Sequence, residues 1–178
     1  MDLKTFHDFL DYYDKVRSRT KLIISKIPPE HINWTYRQGK FTLADLIRHL
    51  ACIERMMYAE NAQGKPSQYN GCGVEYGATY EEVLSFFDTT HAESMQIFYA
   101  LTEEQINSKC LTPGNSSITV WKWLRLMAEH EIHHRGQIYL YLSLLGIEVP
   151  ALYGLTSEQV AEKAEKSTPN PFPTKKSG

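Results

Sequence analysis

Residues 129–137 read EHEIHHRGQ, which places three histidines and two glutamates within one short run. Inside this run His130-Glu131-Ile132-His133-His134 matches H-E-x-x-H, the pattern in which two histidines four apart on a helix hold zinc. Four residues of helix rise by ~6 Å, a separation over which two imidazole rings converge on one ion. In a metalloprotease of this kind Glu131 activates water and a third ligand comes from downstream, where Glu158 follows His134 at a workable distance. Two features oppose that use. No histidine follows His134, and no strand pattern precedes the helix to hold an extended peptide edge. The pattern also fixes only three positions, so chance matches are common.

On a wheel of ~100° per residue with His130 at zero, Trp123, Met127, His134, Ile138 and Tyr141 fall within roughly 80° of it. His130 and His134 thus lie inside the apolar stripe, with His133 on its flank beside Leu126. His49 interrupts LADLIRHLACIERMM in the same manner, on a face shared with Leu46, Ile53 and Met57. A buried polar ring needs a partner. One ion shared by three rings meets that need better than three separate sets of hydrogen bonds. His49, His130 and His134 are therefore the candidate metal ligands.

His91 shares a stripe with Phe87 and Met95 and reads first as a core histidine, with a fourth ligand or a ligand-supporting partner as alternatives. His7 and His31 read as surface or loop residues. Gln137 lies close to His130 on the wheel, within reach of a metal-held group or a ligand ring, and it joins Glu131 as a candidate catalytic residue. Arg135 falls off the core face and reads as a structural cation paired with an acid on a neighbouring helix.

The elements that must position these residues are helices. The first spans about Leu3 to Ile27 and is stopped by Pro28-Pro29. The second runs from about Thr42 to Glu60. A loop rich in Gly, Asn and Pro follows over residues 64–78, GKPSQYNGCGVEYGA, and Thr79-x-x-Glu82 is a capping box that opens the third helix. The fourth runs from about Val120 to Leu145 and ends at Gly146. A short helix from Thr156 to Lys166 and the tail STPNPFPTKKSG complete the chain. With no convincing strands or repeats, the pattern predicts an all-α four-helix bundle over residues 1–154 and a short extension over 155–178.

Composition narrows the function classes. The net charge of −2 and the absence of a concentrated Lys/Arg stripe argue against nucleic acid as a partner. No window approaches the ~18 apolar residues of a membrane span, and the N-terminus, MDLKTFHDFLDYYDK, has no signal-peptide pattern. Cys52, Cys72 and Cys110 are odd in number and widely spaced, which suits a reducing cytoplasm.

HEIHHRGQIYLYLSLLG, preceded by TLADLIRHLACIERM, resembles the DinB, or damage-inducible, family from the first helix to about Gly154. The resemblance implies a four-helix bundle, often dimeric, that holds a divalent metal through three histidines. By position these are His49, His130 and His134, with His133 not a ligand. It also implies either a thiol S-transferase using a low-molecular-weight thiol such as bacillithiol or mycothiol, or a metal-dependent hydrolase. The family's motif rests on histidines, so a catalytic role for Glu131 is not carried over.

Three neutral imidazoles leave a divalent ion its full charge and an open position, which suits activation of water or of a thiol. Zinc or nickel is the expected metal, and a small molecule the expected partner. Tyr69, Asn70 and Tyr76 of the 64–78 loop are a candidate wall for a thiol groove. Ala128, Ile132, Gly136, Tyr139 and Ser143 form a face of the fourth helix poor in charge, which suggests a homodimer. A non-catalytic metal- or ligand-binding stress-response bundle is the alternative from another functional class.

Overall fold

The computed structural model describes residues 5–167. Helix α1 (Phe6–Ile24) begins at a capping box in which Thr5 and Asp8 exchange hydrogen bonds. The expected start at Leu3 lies outside the described residues, as does the tail beyond Ser167. After a 3-10 turn at Pro29–His31 comes α2 (Leu43–Ile53), which Thr42 and Asp45 cap in the same way. The chain then passes through a π-helical turn, Glu54–Tyr58, into α3 (Ala59–Ala62). Helix α4 (Tyr80–Tyr99) starts at the expected Thr79–Glu82 box. A short α5 (Glu103–Asn107), capped by Thr102, leads to the long α6 (Val120–Leu144), and α7 (Ser157–Ser167) follows. Each capping Thr hydroxyl satisfies an amide that the first turn leaves without a partner.

Two expectations need correction. The second helix is not regular α-helix up to Glu60. The π turn inserts one residue, so Tyr58 is buried where the regular pattern places Met57 inward. A two-stranded hairpin also appears, β1 (Lys109–Leu111) against β2 (Ser117–Thr119), with Cys110 opposite Ile118. Its three-residue strands are too short to register as alternation, and Asn115 supplies the left-handed residue of its turn, with φ 57°.

Helix α1 packs on α6, and α2 on α4. The core falls into two apolar halves. One gathers Phe9, Tyr13, Phe98, Trp123 and Met127. The other gathers Ile23, Ile47, Phe87, Ile138 and Leu142. Between them along α1 lie Arg17 and Thr20, along α4 Thr90, His91 and Ser94, and along α6 His130, Glu131, His134 and Arg135. The bundle therefore carries a polar layer across its middle. No described helix is long and apolar enough to cross a membrane.

Candidate metal centre

Helix α2 presents His49 and α6 presents His130 and His134 to one point in this layer. His130 Nε2 lies 3.2 Å from His49 Nε2 and 3.1 Å from His134 Nε2. One donor atom from each ring falls within 4.8 Å of the others, and all three residues are half-buried. Among the described residues this is the group of His, Cys, Asp and Glu donors that converges closely enough to hold a metal ion.

The far side of two rings is tied down. His134 Nδ1 lies 2.7 Å from Gln137 Oε1. An amide oxygen only accepts, so the His134 proton sits on Nδ1 and its Nε2 presents a lone pair to the other rings. His49 Nδ1 lies 3.0 Å from the Tyr69 hydroxyl, and the Phe41 ring stands 5.4 Å from the His49 ring. Tyr58 and Trp123, their ring centres 4.5 Å apart, close the side next to His130.

Electrostatics favour neutral rings. Burial, with His134 nearby, lowers His49 to about 4. Burial together with His134, His49 and His133 lowers His130 to about 3. His134 is also lowered by burial, against the opposing pull of its bond to Gln137. The His134 Nε2 lone pair faces the His130 Nε2, and with all three rings neutral a cation can draw one nitrogen from each. Nitrogens held at ~2.0–2.1 Å by a tetrahedral zinc are about 3.3 Å apart, close to the two spacings observed. The donor set fits a divalent transition metal.

A second buried network adjoins the site. The Tyr13 hydroxyl, with one proton to share, lies 2.9 Å from Glu54 Oε2 and 3.0 Å from Glu131 Oε2, and Arg17 pairs with both carboxylates. His91 Nδ1 bonds Glu54 at 2.9 Å. Burial and Arg17 hold His91 at about 4, so it is neutral. The H-E-x-x-H glutamate thus serves the tie between α1 and α6, and His91 belongs to the same network. Sequence reading misses this cluster because Tyr13, Arg17 and Glu54 are scattered over two segments of the chain. Glu54 follows the phase of α2, four residues after Leu50 and seven after Ile47, so a carboxylate in that apolar row is its signal.

Other expectations resolve as follows. Glu158 is exposed in the first turn of α7 and is not among the convergent donors, so the protease ligand set does not assemble. His133 is exposed, its ring against His134 at 4.9 Å. Arg135 pairs with no acid among the described residues. It donates to the Val16 carbonyl at 3.2 Å and to the Tyr153 hydroxyl at 3.3 Å, because the facing turn of α1 offers it a carbonyl. Of the three loop residues only Tyr69 reaches the site. Asn70 is exposed, and Tyr76 stacks on Phe86 at 5.1 Å. Arg48 holds this loop through the Cys72 and Gly77 carbonyls, at 3.0 and 2.7 Å.

A model of the DinB superfamily matches residues 12–138. The chain is 21% identical over 151 residues to OB0413 of Oceanobacillus iheyensis, named as a candidate metal-dependent hydrolase, covering 79% of this chain and 87% of that protein. It is 26% identical over 133 residues to the uncharacterised YjoA of Bacillus subtilis, covering 73% of this chain and 84% of that one. The crystal structure of YjoA, a DinB-like protein, superposes with a TM-score of 0.66 at 21% identity over 82% of this chain and 96% of that one. A mycothiol-dependent maleylpyruvate isomerase has a similar fold, with a TM-score of 0.57 at 16% identity over 76% of this chain and 63% of its own.

Proposed function

Because the chain belongs to the DinB superfamily, and its relative OB0413 is named for metal-dependent hydrolysis, we propose that it is a metal-dependent enzyme acting on a small molecule, with hydrolysis as its reaction. The observation that carries this reading is the approach of His49 and His134 Nε2 to His130 Nε2, at 3.2 and 3.1 Å, with one donor atom of each ring within 4.8 Å of the others. Zinc or nickel is the ion we propose, from the divalent transition metals that imidazole donors suit. Bound there, it supplies Lewis acidity that lets water or a thiol lose its proton near neutral pH.

The chain's own residues do the rest. Tyr69 and Gln137 fix the orientation of two rings and, at His134, the tautomer. Tyr58 and Trp123 close the side next to His130, while His134 and Gln137 face a cavity open to solvent. Glu131 Oε2, engaged by Tyr13 and Arg17, holds α1 to α6.

The second reading is thiol S-transfer, favoured by the fold shared with the mycothiol-dependent isomerase. A metal-binding bundle without catalysis is the alternative that absence of turnover would support. Elemental mass spectrometry on tag-free wild type and His49→Ala tests the foundation. About one metal per chain in the wild type and none in the variant is expected. Metal retained without His49, or no metal in either protein after reconstitution, would overturn the three-histidine site. Turnover of activated esters or amides by loaded protein, against thiol and electrophile pairs, then separates the two reactions.

A further inference from the structure

A cavity of about 540 Å³ opens beside the three histidines, with His134 and Gln137 in its wall. Tyr36, Phe41 and Tyr141 line one side, and Leu46, Leu140 and Leu144 complete it. The wall is braced. Tyr36 meets the Tyr141 ring edge-on at 5.5 Å, Trp34 meets the same ring at 5.4 Å, and the Tyr141 hydroxyl donates to the Phe41 carbonyl at 3.2 Å. That bond occupies the Tyr141 hydroxyl, and Lys40 is the one charged side chain among the described residues that line the cavity. The 64–78 loop, expected to wall the site, contributes nothing to this cavity. The segment just before α2 builds it instead.

We propose that this cavity binds the apolar arm of the substrate. The substrate class is a small ester, amide or thioester whose polar reactive group rests at His49, His130 and His134 while an aryl or branched alkyl group fills the space between Tyr36, Phe41 and Leu140. The inference rests on the metal-site reading of the previous subsection. Three observations favour a small molecule as occupant. The volume lies within the ~300–1,000 Å³ of small-molecule sites. The cavity's wall includes a candidate ligand and the glutamine that orients it, so any occupant touches the site. Its sides are mostly aromatic and aliphatic, the lining that an apolar group matches.

Zinc-loaded protein is titrated with acetohydroxamate and benzohydroxamate, which share a metal-binding group and differ in the apolar arm. Benzohydroxamate is expected to bind at least ~10-fold more tightly, from burial of its ring. Leu140→Asp and Tyr36→Ala are each expected to abolish most of that preference while the metal content stays at one per chain. Both positions are more than half exposed, which lets the variants fold. Equal affinities on metal-loaded protein overturn the pocket and leave the metal site standing. A preference that survives both substitutions overturns it too. A fall from a two-chain to a one-chain mass in Leu140→Asp, without discrimination between the hydroxamates in the wild type, assigns this ridge to a second copy and overturns the proposal. A wild type that takes up no zinc overturns the metal-site reading, and this inference with it.

Discussion

Glu131 Oε2 accepts a hydrogen bond from the Tyr13 hydroxyl at 3.0 Å across 118 residues of sequence, and the same oxygen pairs with Arg17 at 3.0 Å. Through that one oxygen the carboxylate beside His130 joins α1 to α6. Glu131→Ala leaves Arg17 short of a partner in a buried layer, and breaking such a pair costs about 3 kcal/mol. Glu131→Gln, which keeps an acceptor for Tyr13, is expected to cost less. Both variants should keep the wild-type metal content if they are folded. Urea unfolding with elemental analysis checks this, and metal lost from a folded Glu131→Gln would return the carboxylate to the centre.

Gln137 and Tyr69 offer a graded test of ring orientation. Removing a partner that holds a ligand ring typically weakens metal affinity by about 10–100-fold. Gln137→Leu is expected to show that loss through His134, and Tyr69→Phe through His49. Competition against a chelator of known affinity reads both. Unchanged affinity in Gln137→Leu would make the short contact between Gln137 and His134 incidental.

Acid should unfold the metal-free protein early. His49 and His91 are lowered to about 4 and His130 to about 3 in the folded chain, against about 6.5 when unfolded. Between those values the unfolded chain binds more protons, so stability falls as pH drops from about 6.5 toward 4 and recovers on the neutral side. Urea midpoints of chelator-treated protein at neutral and mildly acidic pH measure the slope. His91→Gln, away from the three ligands, should reduce it, and an unaltered slope would locate the effect elsewhere.

The outer face of α6 carries the test of assembly. A side chain added at Gly136 meets nothing within 4 Å, and Tyr139 and Ser143 beside it are exposed. We propose that this face joins two copies of the chain. Light scattering at tens of micromolar is expected to give a two-chain mass, and Gly136→Arg a one-chain mass. A one-chain mass in the wild type refutes the dimer. In that case Gly136→Ala should simply stabilise the exposed helix, by about 0.5–1 kcal/mol.

Side chains whose role depends on helical phase alone are legible in the sequence. His49, His130 and His134 sit within apolar stripes, and the Thr79–Glu82 box announces the start of α4. Residues whose role depends on a break in phase are not. Tyr58 takes the buried place expected for Met57 through the one-residue insertion of the π turn. Tyr36 and Phe41 lie in an irregular segment where no period applies, although two aromatics flanking Gly39, which has φ 78°, mark a braced turn. Arg135 falls off the core face by phase yet is buried, and periodicity cannot distinguish a carboxylate from the Val16 carbonyl as its partner.

The polar stratum across the bundle also acts as an alignment key. A one-turn shift, about 5.4 Å, keeps an apolar stripe facing inward, so apolar rows alone fix register less sharply than buried polar pairs do. Here such a shift of α6 along α1 would carry Glu131 away from Arg17 and Tyr13 and set a bare carboxylate against apolar rings. The same shift would part His130 and His134 from His49, which α2 holds in place. A misaligned helix therefore loses the centre and the ion pair together, and the spacing of three nitrogens becomes a property of the whole bundle's alignment.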